Sequence, residues 1–241
     1  MVLSRLSQQH RTASELPRAL AQDIATRLQA AIQARSHALL VVSGGKSTIA
    51  LFEALRVLPI AWHQVTISLA DERCVPNSHA DSNALLVRSH LLQDLAATAQ
   101  LVPMVADDLP LTTPAAMAQA ASRRLRALGD ADVLVLGMGT DGHTASLFPD
   151  APSLPLAMDL MQSPACVGIE LKNPPANAPY ARITQNLSML LSARHIVLPI
   201  SGEDKIAVLA RAKAAPSLSL PISKVLHQDR APVTVWLTDQ D

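Results

Sequence analysis

Asp141 and His143 stand one glycine apart in G-M-G-T-D-G-H-T-A-S-L-F-P, residues 137–149. Imidazole titrates near neutral pH, so His143 could take a proton from water, and a carboxylate beside it could orient the ring or that water. Asp141 could equally cap a turn through backbone N–H groups, with His143 an ordinary surface residue. The triplet alone admits both readings. Gly137, Gly139 and Gly142 also match the G-x-G-x-x-G spacing of a dinucleotide site. That site needs a full crossover helix, however, and Pro149, Pro152 and Pro155 stop a helix after little more than a turn. No acidic residue closes a second strand at the usual distance of about 20 residues, which excludes the dinucleotide reading.

Three further clusters suit anion chemistry. Ser43-Gly44-Gly45-Lys46-Ser47-Thr48 joins a strand to a helix, where free N–H groups and the helix dipole could meet a phosphate or simply be capped. Its Gly-Lys-Ser triplet is no nucleotide-binding P-loop, because the first glycine of that loop would fall at Leu40, inside the strand. Asp71-Glu72-Arg73 close another strand and precede Asp81-Ser82-Asn83, either as ligand groups at the sheet's carboxyl edge or as a surface ion cluster. Arg182 and Lys205, taken alone, read as surface charges.

Hydrophobic periodicity predicts the elements that position them. Residues 14–35 form a helix with Leu16, Leu20, Ile24, Leu28 and Ile32 on one face. Buried strands follow at 38–42, 65–70 and 132–136, with further strands at 101–104, 165–170, 194–200 and 233–237. Helices are predicted from Ile49 through Leu58, from Asn83 through Leu92, at 113–128, near 186–191, from Ser201 onward and at 221–226. Asp141 and His143 fall at the start of a short helix. Residues 149–164 and 173–179 read as loops, the first a natural rim over a pocket. One helix precedes the first strand. This alternation predicts an α/β fold of three α/β/α layers: a mainly parallel, Rossmann-like sheet with helices on both faces, in a single domain over residues 1–241.

Composition narrows the function. The 241 residues are 49% hydrophobic, enough for a large core, and 20 Lys plus Arg balance 20 Asp plus Glu. Zero net charge leaves no basic field for nucleic acid or an anionic membrane, so an anionic ligand must be met by local charges. The N-terminus lacks the apolar core of about 7–15 residues of a signal peptide, and no run reaches the roughly 18 apolar residues of a membrane span. A cytoplasmic protein is expected, monomeric or a small homo-oligomer. Cys74 and Cys166 have neither metal-ligand spacing nor a secretory context, so both are expected reduced, Cys166 in a strand core. With 2% aromatic residues the core must be aliphatic, and stacking cannot be a main mode of ligand recognition.

Residues 137–149 resemble the signature of the 6-phosphogluconolactonase family. Asp71-Glu72-Arg73-Cys74-Val75-Pro76 with Ser82-Asn83, Arg182-Ile183-Thr184, and Gly202 through Lys205 are similar to further family motifs, in the family's order, and the resemblance covers nearly the whole chain. It implies an α/β/α fold related to glucosamine-6-phosphate deaminases and ribose-5-phosphate isomerases. It also implies no required metal or organic cofactor, and hydrolysis of 6-phosphoglucono-1,5-lactone, a small sugar phosphate, in the pentose phosphate pathway.

Opening a lactone needs a base, donors for the developing oxyanion and a phosphate anchor. On the resemblance, His143 is the general base and Asp141 fixes its tautomer or orients the water. Ser43, Gly44 and Gly45 with Arg73, Arg182 and Lys205 hold phosphate, Arg73 alternatively polarising the carbonyl. Asp71 and Glu72 hold arginine or sugar hydroxyls, and Asn83, Gly139 and Thr144 complete the substrate site. The chain departs from the family's usual S-G-G-S-T-P turn by Lys46, which contacts phosphate or only solvent, and has Cys74 where tryptophan is common. Related deaminases usually carry an acidic residue before the proline of the D-G-H loop; here stands Ser146-Leu147-Phe148-Pro149. A sugar-phosphate sensor would need a DNA-binding module that the residues before the first strand do not supply.

Overall fold

The computed structural model describes residues 5–107, 112–172 and 179–238. In chain order the elements are β1 (Leu6–Arg11), α1 (Leu16–Arg35), β2 (Ala38–Val42), α2 (Ile49–Arg56), β3 (Val65–Leu69), β4 (Asp71–Arg73), α3 (Asn83–His90), β5 (Gln100–Leu101), α4 (Pro114–Arg126) and β6 (Val133–Val135). They continue with α5 (Leu154–Ala157), β7 (Cys166–Ile169), β8 (Arg182–Gln185), α6 (Leu187–Leu190), β9 (Ile196–Ile200), α7 (Glu203–Ala214), α8 (Ile222–Leu226) and β10 (Val233–Thr238).

Seven strands form one parallel sheet in the order β1-β10-β9-β6-β2-β3-β5. Its central strands are apolar at every position because side chains alternate between two covered faces. Ala38, Leu40 and Val42 of β2 join one core cluster with α1, α2, α3 and α4, whereas Leu39 and Val41 join the other with α7 and α8. Val133 and Val135 of β6 divide from Leu134 in the same way. Just before β6 the buried Asp132 carboxylate ties strands to helix: it accepts from Leu39 N at 2.9 Å and from Arg35, and forms an ion pair with Arg194 Nε at 3.3 Å.

Several local expectations change. Residues 71–73 do not merely close a strand: they are β4, which pairs antiparallel with β8, and β8 with β7, in a second, three-stranded sheet. No helix follows His143. Left-handed φ angles of 77° at Gly142 and 47° at Ala145 break any helical run, and the loop closes through a Thr144–Leu147 bridge. Conversely, residues 149–164 are not all loop, since α5 lies inside them. A strand, β1, precedes α1; its LSQQHR sequence is mostly exposed, so no hydrophobic pattern marks it, and the ladder to β10 holds it. The predicted strand at 101–104 shortens to Gln100–Leu101. Of the loop at 173–179, all but Pro179 lies outside the described residues.

Candidate active site

A cavity of about 270 Å³ opens where β2, β3 and β6 end. Ser43, Gly44 and Gly45 form one wall. Gly45, at φ 113°, starts the 3-10 turn Lys46–Thr48 that leads into α2. Gly44 must lack a side chain, because a Cβ there would sit 1.9 Å from Asn83 Oδ1. Asn83 also lines the cavity and donates from Nδ2 to the Asp71 carbonyl at 2.8 Å. Among the described residues the buried Ser43 Oγ and Asn83 Oδ1 have no hydrogen-bond partner, so they can meet a polar ligand. Lys46 is exposed and off the lining, whereas the neighbouring Ser47 is part of it.

The cationic side comes from the second sheet and α7. Arg73 and Arg182 are directly opposed in the β4–β8 register, and both line the cavity with Lys205. Arg73 is oriented by donating from Nη1 to the Asp81 carbonyl. Burial first, then the adjacent Arg73 charge, hold the Arg182 guanidinium below its usual pKa. Two like charges opposite one another across strands destabilise the protein, and an anion between them removes that cost. Lys205 lies in the first turn of α7, after Gly202 at φ 91°.

On the loop after β6, Asp141 Oδ1 lies 2.5 Å from His143 Nδ1 and accepts the His143 backbone N–H at 3.1 Å. Partial burial pushes the Asp141 carboxyl up, but its bonds to His143 and that residue's charge outweigh it, so its pKa ends below the usual carboxylate value. With Nδ1 engaged as a donor, Nε2 is the ring nitrogen left to accept a proton. Gly139 makes room for this pair: a Cβ there would lie 2.3 Å from the imidazole and 2.6 Å from Asp141 Oδ1. His143 and Gly139 line the same cavity as the glycine wall and the three cations. Asp141 lines instead the adjoining cleft of about 650 Å³.

Two residues expected at the substrate are placed elsewhere. Glu72 is fully buried and off the lining; its carboxylate accepts from Arg73 N, Asn83 N, Ala84 N and Ser82 Oγ, at 2.7 to 3.0 Å. Burial raises its pKa while those four donors pull it down. It therefore braces the start of α3 and sets Asn83. Thr144 is also fully buried and donates to the Gly137 carbonyl at 2.8 Å, closing the loop on itself. Asp71 does line the cavity, its Oδ2 accepting from Ser146 Oγ at 2.6 Å. Gly137, Met138, Ala145 and Phe148 complete the lining. Met138, Ala145 and Phe148 went unassigned because apolar side chains carry no chemical group that marks them, although all three sit inside the signature run. Among the described residues no three His, Cys, Asp or Glu side chains are grouped to hold a metal, and no helix is long and apolar enough to cross a membrane.

A parallel α/β fold with its cations and imidazole gathered at one edge places the chain among enzymes that handle small anionic substrates. The chain belongs to the family described as glucosamine-6-phosphate isomerases/6-phosphogluconolactonase, whose model matches residues 11–236. It is 43% identical over 226 residues to the 6-phosphogluconolactonase of Pseudomonas aeruginosa, covering 93% of this chain and 91% of that protein. The crystal structure of a 6-phosphogluconolactonase from Shewanella baltica superposes with a TM-score of 0.89 at 37% identity, covering 99% of this chain and all of the other. A monomeric glucosamine-6-phosphate deaminase, at 20% identity and a TM-score of 0.76, shares the fold.

Proposed function

We propose that the chain, acting as one domain in the cytoplasm, hydrolyses 6-phospho-D-glucono-1,5-lactone to 6-phospho-D-gluconate in the oxidative pentose phosphate pathway. The observation that carries this reading is that the Asp141–His143 pair abuts the same cavity that holds the opposed Arg73 and Arg182. An oriented base and a local anion anchor are two of the three things lactone opening on a phosphorylated sugar requires, the third being donors for the oxyanion. The names of relatives that match nearly end to end support the same substrate.

In this mechanism the phosphate lies against Ser43, Gly44 and Gly45, with Arg182 and Lys205 supplying charge. Water attacks C1 as His143 Nε2 takes its proton, and Asp141 holds Nδ1–H and stabilises the imidazolium. Arg73 serves the oxyanion or the phosphate. The C1–ring-oxygen bond then breaks, the imidazolium returns the proton to the departing oxygen, and the acid released ionises in solvent. The deaminase alternative finds no acid where it needs one, since Phe148 stands immediately before Pro149.

The test is the decay of freshly made 6-phosphogluconolactone, with the uncatalysed opening subtracted. Wild type accelerates it, and His143→Ala loses roughly 10²-fold or more in turnover. Ammonia release from glucosamine-6-phosphate at an enzymatic rate, or a lactone lifetime unchanged by wild type, refutes the assignment.

A further inference from the structure

Only two phenylalanines occur in the chain, and Phe52 is fully buried in the core. Phe148 is half-buried, rests on the core cluster beneath the sheet's carboxyl edge, and lines both the cavity and the adjoining cleft. Its ring centroid is 4.3 Å from that of His143, with the planes tilted by 36°. Arg182 Cζ stands over the same ring, 5.2 Å from its centroid. One side chain therefore touches the base and an anion-holding arginine at once.

The His143 ring is not held in place by its bond to Asp141 alone. The Asp141 and His143 side chains are 49% and 31% exposed, so water competes for their hydrogen bond. The imidazole χ2 torsion is broad and roughly two-fold, so one such bond leaves the ring free to swing. An aromatic plane packed on the ring removes that freedom. A guanidinium over an aromatic face is likewise held in orientation, most strongly where both are partly desolvated. We infer that Phe148 is a positioning residue that sets the separation and orientation of His143 relative to Arg182, and hence of the attacked carbonyl relative to the phosphate. This rests on the lactonase reading of His143 and Arg182. It assigns the ring a role in holding protein groups rather than in stacking on the sugar.

The experiment compares Phe148→Tyr, which keeps the aromatic face, with Phe148→Leu and Phe148→Met, which fill similar space without it. Lactone kinetics, inorganic-phosphate affinity by calorimetry and the ¹⁵N tautomer signature of His143 are measured on each. Tyr should stay within about 2-fold of wild type. Leu and Met should lose about 10-fold in kcat, since a misaligned base wastes the bound geometry, and weaken phosphate binding about 3-fold. Their His143 signal should move from the Nδ1–H form toward a mixture of tautomers. Leu or Met matching Tyr in kcat and phosphate affinity overturns the inference while leaving lactonase activity intact. If wild type itself fails on the lactone, the functional reading falls, and the inference is judged on the other two measurements: phosphate affinity and His143 tautomer both unchanged in Leu overturn it.

Discussion

Arg73 and Arg182 are cross-strand partners in the antiparallel pairing of β4 with β8. Nothing in parallel-sheet architecture requires two guanidiniums to face each other, and the arrangement becomes favourable when an anion sits between them. Arg182→Gln should weaken 6-phosphogluconate binding by about 10-fold or more and act on turnover chiefly through KM. Unchanged product affinity by calorimetry sinks the anion role.

Asp141 has its pKa held below the usual 3.8 by His143, against the opposing pull of partial burial. A depressed carboxylate contributes stability that is present above its unfolded value and lost as pH falls through its folded value. Asp141→Asn should therefore differ from wild type in thermal midpoint at pH 7 and converge on it at strongly acid pH. The variant should also turn over more slowly at neutral pH, because the ring loses its preferred tautomer. Equal turnover by Asp141→Asn and wild type would remove Asp141 from the mechanism.

Glu72 meets four donors with two oxygens. Glu72→Gln turns an NH₂ group toward N–H groups, leaving buried donors unsatisfied, and should cost about 1–3 kcal/mol. Denaturant unfolding measures this. Activity should fall as well, through Asn83 and its contact with Gly44. A variant as stable as wild type would show that the brace is dispensable.

His195, just before β9, has its pKa pushed down from 6.5 to about 4, by burial first and then by Arg27. Between those values the unfolded chain binds a proton that the folded chain refuses, so stability falls as pH drops through that window. His195→Gln should show a smaller loss of thermal midpoint than wild type between pH 7 and pH 4.5. An equal loss in both would place the acid sensitivity elsewhere.

The main sheet was legible because its signal is local. Strands such as β2 and β6, apolar at every position, and helices such as α1, with an apolar residue every fourth place, declare both their type and their burial. β1 was not legible: six mostly exposed residues carry no pattern, and only the β10 ladder makes them a strand. At the site the same division holds. The glycine turn from Ser43 and the run from Gly137 to Pro149 announce reactive loops by residue type and spacing. Glu72 does not, since a carboxylate that binds ligand and one that caps backbone N–H groups are written with the same letter.

Residue order by itself determined an α/β chain, the loops at its strand ends, and a candidate base beside a carboxylate, because each depends on neighbours a few positions apart. The tertiary structure alone decided that residues 71–73 leave the parallel sheet to pair with β8, which sets Arg73 against Arg182. It also decided that Phe148 lies between that arginine and His143. The contacts of Arg182 with Arg73 and Phe148 join segments distant in sequence, and they follow from how the two sheets and both core clusters pack together, a property no single stretch contains.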